Sequence, residues 1–269
     1  MEGLLMSCFE AFYPATCCLC GDSANPTGEH KIKASSLRSQ FGKQAMVIVS
    51  GSGRVANAQG VKSKTLHFDA PMCAACNNER TQTADREYDL FMEAAQALAA
   101  SGAEPVGALE TDRYEPQAVD SATRYHNVFR YFTKLMAAHL AEVGGPRSKR
   151  LSRYALGETD DCPIVMGIDA DWTYQQHAQA HGDHPYAAHG GLVVFVQQVS
   201  GDPTAFFTSL TVGAVRCTIT YRLQDGELVD LEAHHPAFWG WCRERGREAA
   251  ASPIAHEKLL QLGLAEDRS

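Results

Sequence analysis

The chain has 269 residues, 45% of them hydrophobic and 21% charged, and its 24 Lys and Arg against 32 Asp and Glu give a net charge of −8. That composition excludes wholesale disorder and a collagen-like fibre, and no run of about 18 apolar residues exists to cross a membrane. An acidic total confines any nucleic-acid role to a local patch.

In chain order, Met1–Phe12 carries two acids and no Lys or Arg. That makes a poor secretion signal and predicts a cytoplasmic protein. In a reducing compartment clustered cysteines bind metal more often than they form disulfides. Of the nine cysteines, Cys17 and Cys20 form one C-x2-C pair and Cys73 and Cys76 another. Two such knuckles supply four thiolates to one tetrahedral zinc, which stands in for the core that a small polar module lacks. Cys18 is an alternative to Cys17, while the isolated Cys8, Cys162, Cys217 and Cys242 read as small core residues. From Lys31 to Leu66, between the knuckles, there are seven basic residues and no acid. Residues 1–88 hold nine basic and eight acidic residues, a balance of +1, which leaves −9 for the remainder. The basic stretch is either a phosphate-facing surface or a solvated loop.

Tyr88, Phe91, Ala95 and Leu98 recur at three and four residues, which predicts an amphipathic helix over 76–100. Ser101-Gly102 ends it, and a linker runs to about residue 120. Val128, Phe132, Leu135 and Met136 predict a second helix over 122–142, stopped by Gly144-Gly145-Pro146. Its polar face of Asn127, Arg130 and Lys134, followed by Arg147, Lys149, Arg150 and Arg153, is either a nucleic-acid track or a solvated face. His177, His181, His184 and His189 lie in a segment that Gly182 and Pro185 mark as a polar loop. Leu192–Val199 and Phe206–Val212 read as strands, and Val215, Cys217, Ile219 and Tyr221 alternate with polar residues as a half-buried strand does. Asp225-Gly226 predicts a hairpin turn into a strand over Leu228–Leu231. Pro236–Ala250 and Pro253–Leu262 read as closing helices, with Phe238, Trp239 and Trp241 as core or an oligomer contact. The expected fold class is α+β. A zinc-bearing module over 1–100 precedes a helical and antiparallel-β region over 101–269, whose role the sequence leaves open among binding a partner protein, regulation and self-association.

Gly28-Glu29-His30-Lys31-Ile32 follows the first knuckle, and Asn77-Asn78 directly follows the second. Phosphodiester hydrolysis needs a base for water and a divalent cation for the developing charge. An imidazole, which titrates near pH ~6.5, suits the first task. A carboxylate and an amide oxygen, from Glu29 and an Asn, suit Mg²⁺ or Mn²⁺ for the second.

Cys17-x2-Cys20, Glu29-His30 and Cys73-x2-Cys76-Asn77 with Arg80 together resemble the zinc-supported HNH (His-Me finger) endonucleases, over about residues 15–90. The resemblance implies a ββα-metal unit, a β-hairpin and a helix around one catalytic cation. It implies a structural zinc on the four cysteines, Glu29 and Asn77 as ligands of Mg²⁺ or Mn²⁺, and His30 as general base. Lys31, Lys33, Arg38, Lys64 and Arg80 would then contact the phosphates of double-stranded DNA. The string Arg80-Thr81-Gln82-Thr83-Ala84-Asp85 resembles bacterial HNH proteins linked to phage defence, which implies a defence or restriction role. Two positions depart from the pattern. Phe68 stands where the family has its central Asn, leaving His67, Asp69 or Asn57 to orient the base, His67 foremost, and Lys33 replaces a proline after the Glu-His pair. The alternative reading is a zinc-ribbon-like module that binds nucleic acid or protein and carries a degenerate nuclease site.

Overall fold

The computed structural model describes residues 7–23, 25–49, 54–114, 120–182 and 184–251. The first strand, β1 (Phe9–Glu10), is followed by the first cysteine knuckle and then β2 (Pro26–His30). An excursion holds α1 (Ala34–Phe41) and a hairpin of β3 (Met46–Val49) with β4 (Val55–Ala58) before the chain returns as β5 (His67–Cys73). β5 runs antiparallel to β2, pairing Pro26 with Cys73 and His30 with His67, with a register irregularity between Gly28 and His30. It leads into a π-helical turn (Ala75–Arg80) and then α2 (Gln82–Ala100). The chain therefore builds a two-stranded hairpin that feeds directly into a helix, with the second knuckle at the junction.

The helix expected over 122–142 is α3 (Ser121–Glu142), and every residue from Tyr131 to Ala141 is buried. A helix buried on all sides is a core helix rather than a surface one. Tyr88 of α2 stacks on Tyr131 at 3.8 Å, and Phe91 meets the edge of Phe132. Gly144 ends α3 in the left-handed region at φ 75°, and the Gly145 amide donates to the Leu140 carbonyl. β6 (Arg147–Ser148), which pairs with β1, and α4 (Lys149–Ala155) follow.

The rest is β7 (Ile164–Ala170), α5 (Trp172–His181), β8 (Ala187–His189), β9 (Val193–Val196), β10 (Pro203–Val212), β11 (Val215–Arg222), α6 (Asp225–His234) and α7 (Pro236–Ala251). The sheet order is β7-β11-β10-β8 with β9 also on β10, and every pairing is antiparallel. Helices and antiparallel strands are thus mixed as the α+β expectation has it. One hydrophobic cluster runs from Phe9 and the cysteines through α2 and α3 to Cys217 and Trp239, continuous across residue 100.

Three local expectations are corrected. Asp225-Gly226 opens α6 instead of a hairpin, because Gln224 and Glu227 form a reciprocal capping box and two acids occupy the first helical turn. The segment around His177 is the helix α5, started by Asp171, whose carboxylate accepts the Thr173 and Tyr174 amides, and closed at Gly182. Cys162 is exposed, whereas Cys217 and Cys242 are buried as expected. The helix expected over Pro253–Leu262 lies outside the described residues.

Candidate functional site

The cysteines gather at the open end of the hairpin, where Pro26 pairs with Cys73. The Sγ atoms of Cys17, Cys20, Cys73 and Cys76 all lie within 4.8 Å of one another, a set that could hold one metal ion such as zinc. The Leu19 amide donates to Cys17 Sγ and the Cys76 amide to Cys73 Sγ, both at 3.4 Å, which favours the thiolate form. Four sulfurs this close cannot all ionise on their own. A hydrogen bond from Cys76 draws the Cys17 thiol down to about 4, while burial pushes Cys20 up to about 12. Donating that hydrogen bond to Cys17 keeps Cys76 protonated and raises it. A divalent cation removes that conflict and deprotonates the whole set. Cys18 is not one of the four, and burial keeps its thiol protonated.

His30 ends β2 and stands opposite His67, the first residue of β5, with ring centroids 3.9 Å apart. Both rings are held by carbonyls of the loop before β5. His30 Nε2 donates to Val61 O at 2.9 Å and His67 Nδ1 to Ser63 O at 3.0 Å. A carbonyl only accepts, so each ring turns an N–H to it, and the neutral His30 ring keeps its lone pair on Nδ1. Burial draws His30 below the usual imidazole range, opposed by the Val61 bond and assisted by His67 and Arg38, so the ring is neutral at pH 7. Gly28 makes room for this arrangement: a Cβ there would meet His67 Cδ2 at 3.0 Å.

Neighbours on a strand face opposite ways, and Glu29 turns inward from His30. Only 7% exposed, it lies 3.3 Å from the ammonium of Lys134, which is itself 2.6 Å from Asp85. Lys134 is 0% exposed, and the two carboxylates keep it protonated against the pull of burial. Burial pushes the Glu29 carboxyl up, with Lys134 opposing. Asn77, in the π-helical turn, donates to Thr27 Oγ1 at 3.1 Å, and its amide oxygen has no partner among the described residues.

The five expected phosphate contacts divide. Lys31 pairs with Glu142 at 2.7 Å, Lys33 with Asp89 at 2.7 Å and with the Asp85 carbonyl, and Arg80 with Glu158 at 2.6 Å. Arg38 and Lys64 are exposed and make no ion pair among the described residues. The polar face of α3 and the cations after it, left open between a nucleic-acid track and a solvated face, are largely engaged within the fold. Lys134 is internal, Arg130 holds Asn127 and Asp160, Arg147 and Lys149 hold Glu10, and Arg150 holds Glu227. A lysine amid the apolar run Tyr131–Ala141 was the available signal for a buried ion pair. Comparison with protein-family models, curated proteins and solved structures found no match.

Proposed function

We propose that this protein is an endonuclease of the HNH kind, supported by a structural zinc on its four cysteines, that hydrolyses phosphodiester bonds of DNA, with a role in defence or restriction. The observation that carries the reading is the His30 imidazole at the end of the hairpin's first strand. It is neutral, held by Val61 O with no partner for Nδ1 among the described residues, and it stands on a hairpin whose other end carries the four-cysteine cluster from which the helix departs. His30 Nδ1 takes a proton from water, the resulting hydroxide attacks phosphorus, and the P–O bond to the leaving oxygen breaks. That oxygen takes up a proton from solvent. His67 packs against His30 with its ring tilted by 44° and helps hold that ring in place.

For a catalytic Mg²⁺ or Mn²⁺ the two expected ligands differ. Asn77 keeps a free amide oxygen, but Glu29 does not fit, because a buried ammonium already sits on its carboxylate. The steps above therefore fall on the chain's own residues. The same Glu29–Lys134 pair favours a second reading, a nucleic-acid- or protein-binding module with a degenerate nuclease site.

His30→Ala is expected to lower plasmid cleavage, assayed with Mg²⁺ and with Mn²⁺, by about 10²–10⁴-fold, with zinc content and thermal midpoint unchanged. Cutting at the wild-type rate by the variant removes His30 as base. DNA binding by the wild-type protein without cleavage selects the second reading.

A further inference from the structure

The excursion between β2 and β5 carries the acid-free stretch, and its cations part company in the fold. Lys31 and Lys33 turn back to acids on α3 and α2. Arg38, Lys43 and Lys62 instead line one cleft of about 690 Å³, between the end of α1 and the loop that follows β4. None of the three makes an ion pair among the described residues, and no carboxylate lines the cleft. Asn57 adds a neutral donor and acceptor on the same wall. A surface concentration of positive charge without counter-charge is the electrostatic form of a phosphate site.

The cleft adjoins the loop that holds the imidazole pair. Val61 and Ser63 line it, and their carbonyls are the ones that hold His30 and His67. Arg38 is close enough for its charge to disfavour protonation of His30. One loop therefore forms both the back wall of the histidine pair and the floor of the cationic cleft. The segment that separates the two hairpin strands in sequence is positioned to hold what those strands would cut.

We infer that this cleft seats the phosphodiester backbone of the DNA strand beside the scissile bond, with Arg38, Lys43 and Lys62 as the phosphate contacts. The inference rests on the nuclease reading. It moves the substrate path away from the knuckle side, where Arg80 is already paired, and onto the outer part of the excursion.

The test uses the full-length protein with His30→Ala, so that the DNA stays intact, and measures affinity for a short duplex across a salt series. Replacing Arg38, Lys43 and Lys62 together by Gln should reduce the magnitude of the log–log salt slope by about 2.7, since each phosphate contact contributes about 0.9. The control replaces Arg243, Arg245 and Arg247 of α7 by Gln, an equal change in net charge that should leave the slope unchanged. In the background with His30 intact, the cleft variant should raise KM for duplex cleavage far more than it lowers kcat. Equal slopes for cleft variant and parent, with wild-type cleavage present, overturn the cleft and leave the nuclease reading standing. A slope lost in the cleft variant, with no cleavage by wild type, overturns the nuclease reading and keeps the cleft as a binding site. Competition by inorganic phosphate or a deoxynucleoside monophosphate as strong as by the duplex overturns the inference in favour of a small-molecule pocket.

Discussion

His139 shows what one buried side chain imposes on the molecule. It sits on α3 at 4% exposure, edge-on to Phe68 at 4.7 Å and 6.2 Å from the His189 ring. The Thr208 hydroxyl gives its single proton to Gly190 O and so accepts from His139 Nε2 at 3.2 Å. Burial, followed by the nearby His189 and Lys31, pulls its pKa to about 3. Between that value and the ordinary ~6.5, the unfolded chain binds the proton and the folded chain does not. This group's contribution is therefore fully present above pH ~6.5 and is lost as pH falls toward its folded pKa, by at most about 1.4 kcal/mol per pH unit. His30, His189 and His235 are also lowered and add to the slope. Urea unfolding at pH 7.5, 6.5 and 5.5, above most carboxylate titration, should show stability falling over the lower interval. His139→Gln should show a slope smaller by up to one proton. Identical slopes in the two proteins would refute the assignment.

At the scale of elements, α3 joins the hairpin to α2 through one ammonium. Lys134 bridges Glu29 on β2 and Asp85 on α2 from inside the core. Lys134→Met would strand the buried Glu29 and half-buried Asp85 carboxylates, and breaking a buried ion network in this way costs about 3–5 kcal/mol. Adding Glu29→Gln and Asp85→Asn should recover most of that loss, because the neutral groups no longer need a counter-charge. Denaturant midpoints of the single and triple variants decide the matter, and a single variant as stable as wild type would show that the network contributes nothing. The same elements mark what the sequence could reveal. The periodic apolar residues of α2 and α3 and the alternation in β11 are local signals, and the helices and strand lie where those signals put them. The cysteine spacing likewise announced the four-sulfur cluster. Lys134 was misread because residues three and four apart define a polar face without saying what covers it, and here the cover is a strand and a helix distant in sequence. Asp225-Gly226 was misread because a turn dipeptide and a capped helix start share residue types, and the capping box of Gln224 and Glu227 decides between them. The carbonyls of Val61 and Ser63 carry no side-chain signature at all.

For the whole molecule, the uneven charge of the sequence becomes a means of joining its parts. Acids beyond residue 100 hold cations before it, as Lys31–Glu142 and Arg80–Glu158 do. Arg147 donates to Leu19 O at 2.8 Å and braces the first knuckle, and the Asp230 carboxylate accepts the amides of Cys8 and Phe9 at 2.8 and 2.7 Å. The apolar core crosses the same line, because Tyr131 and Phe132 of α3 cover Tyr88 and Phe91 of α2. A fragment ending at residue 100 would expose those rings and leave Glu29 and Asp85 without Lys134. Zinc can hold the knuckles of such a fragment, but a metal at one end does not replace the cover over α2. The full chain should therefore unfold in one transition, with zinc release and loss of helical signal coincident. The fragment over residues 1–100, supplied with zinc, should bind the metal yet give a broad, shallow helical melt. A sharp fragment transition at the full-length midpoint would show instead that the zinc-bearing module is an independent domain and that the contacts across residue 100 add nothing to its stability.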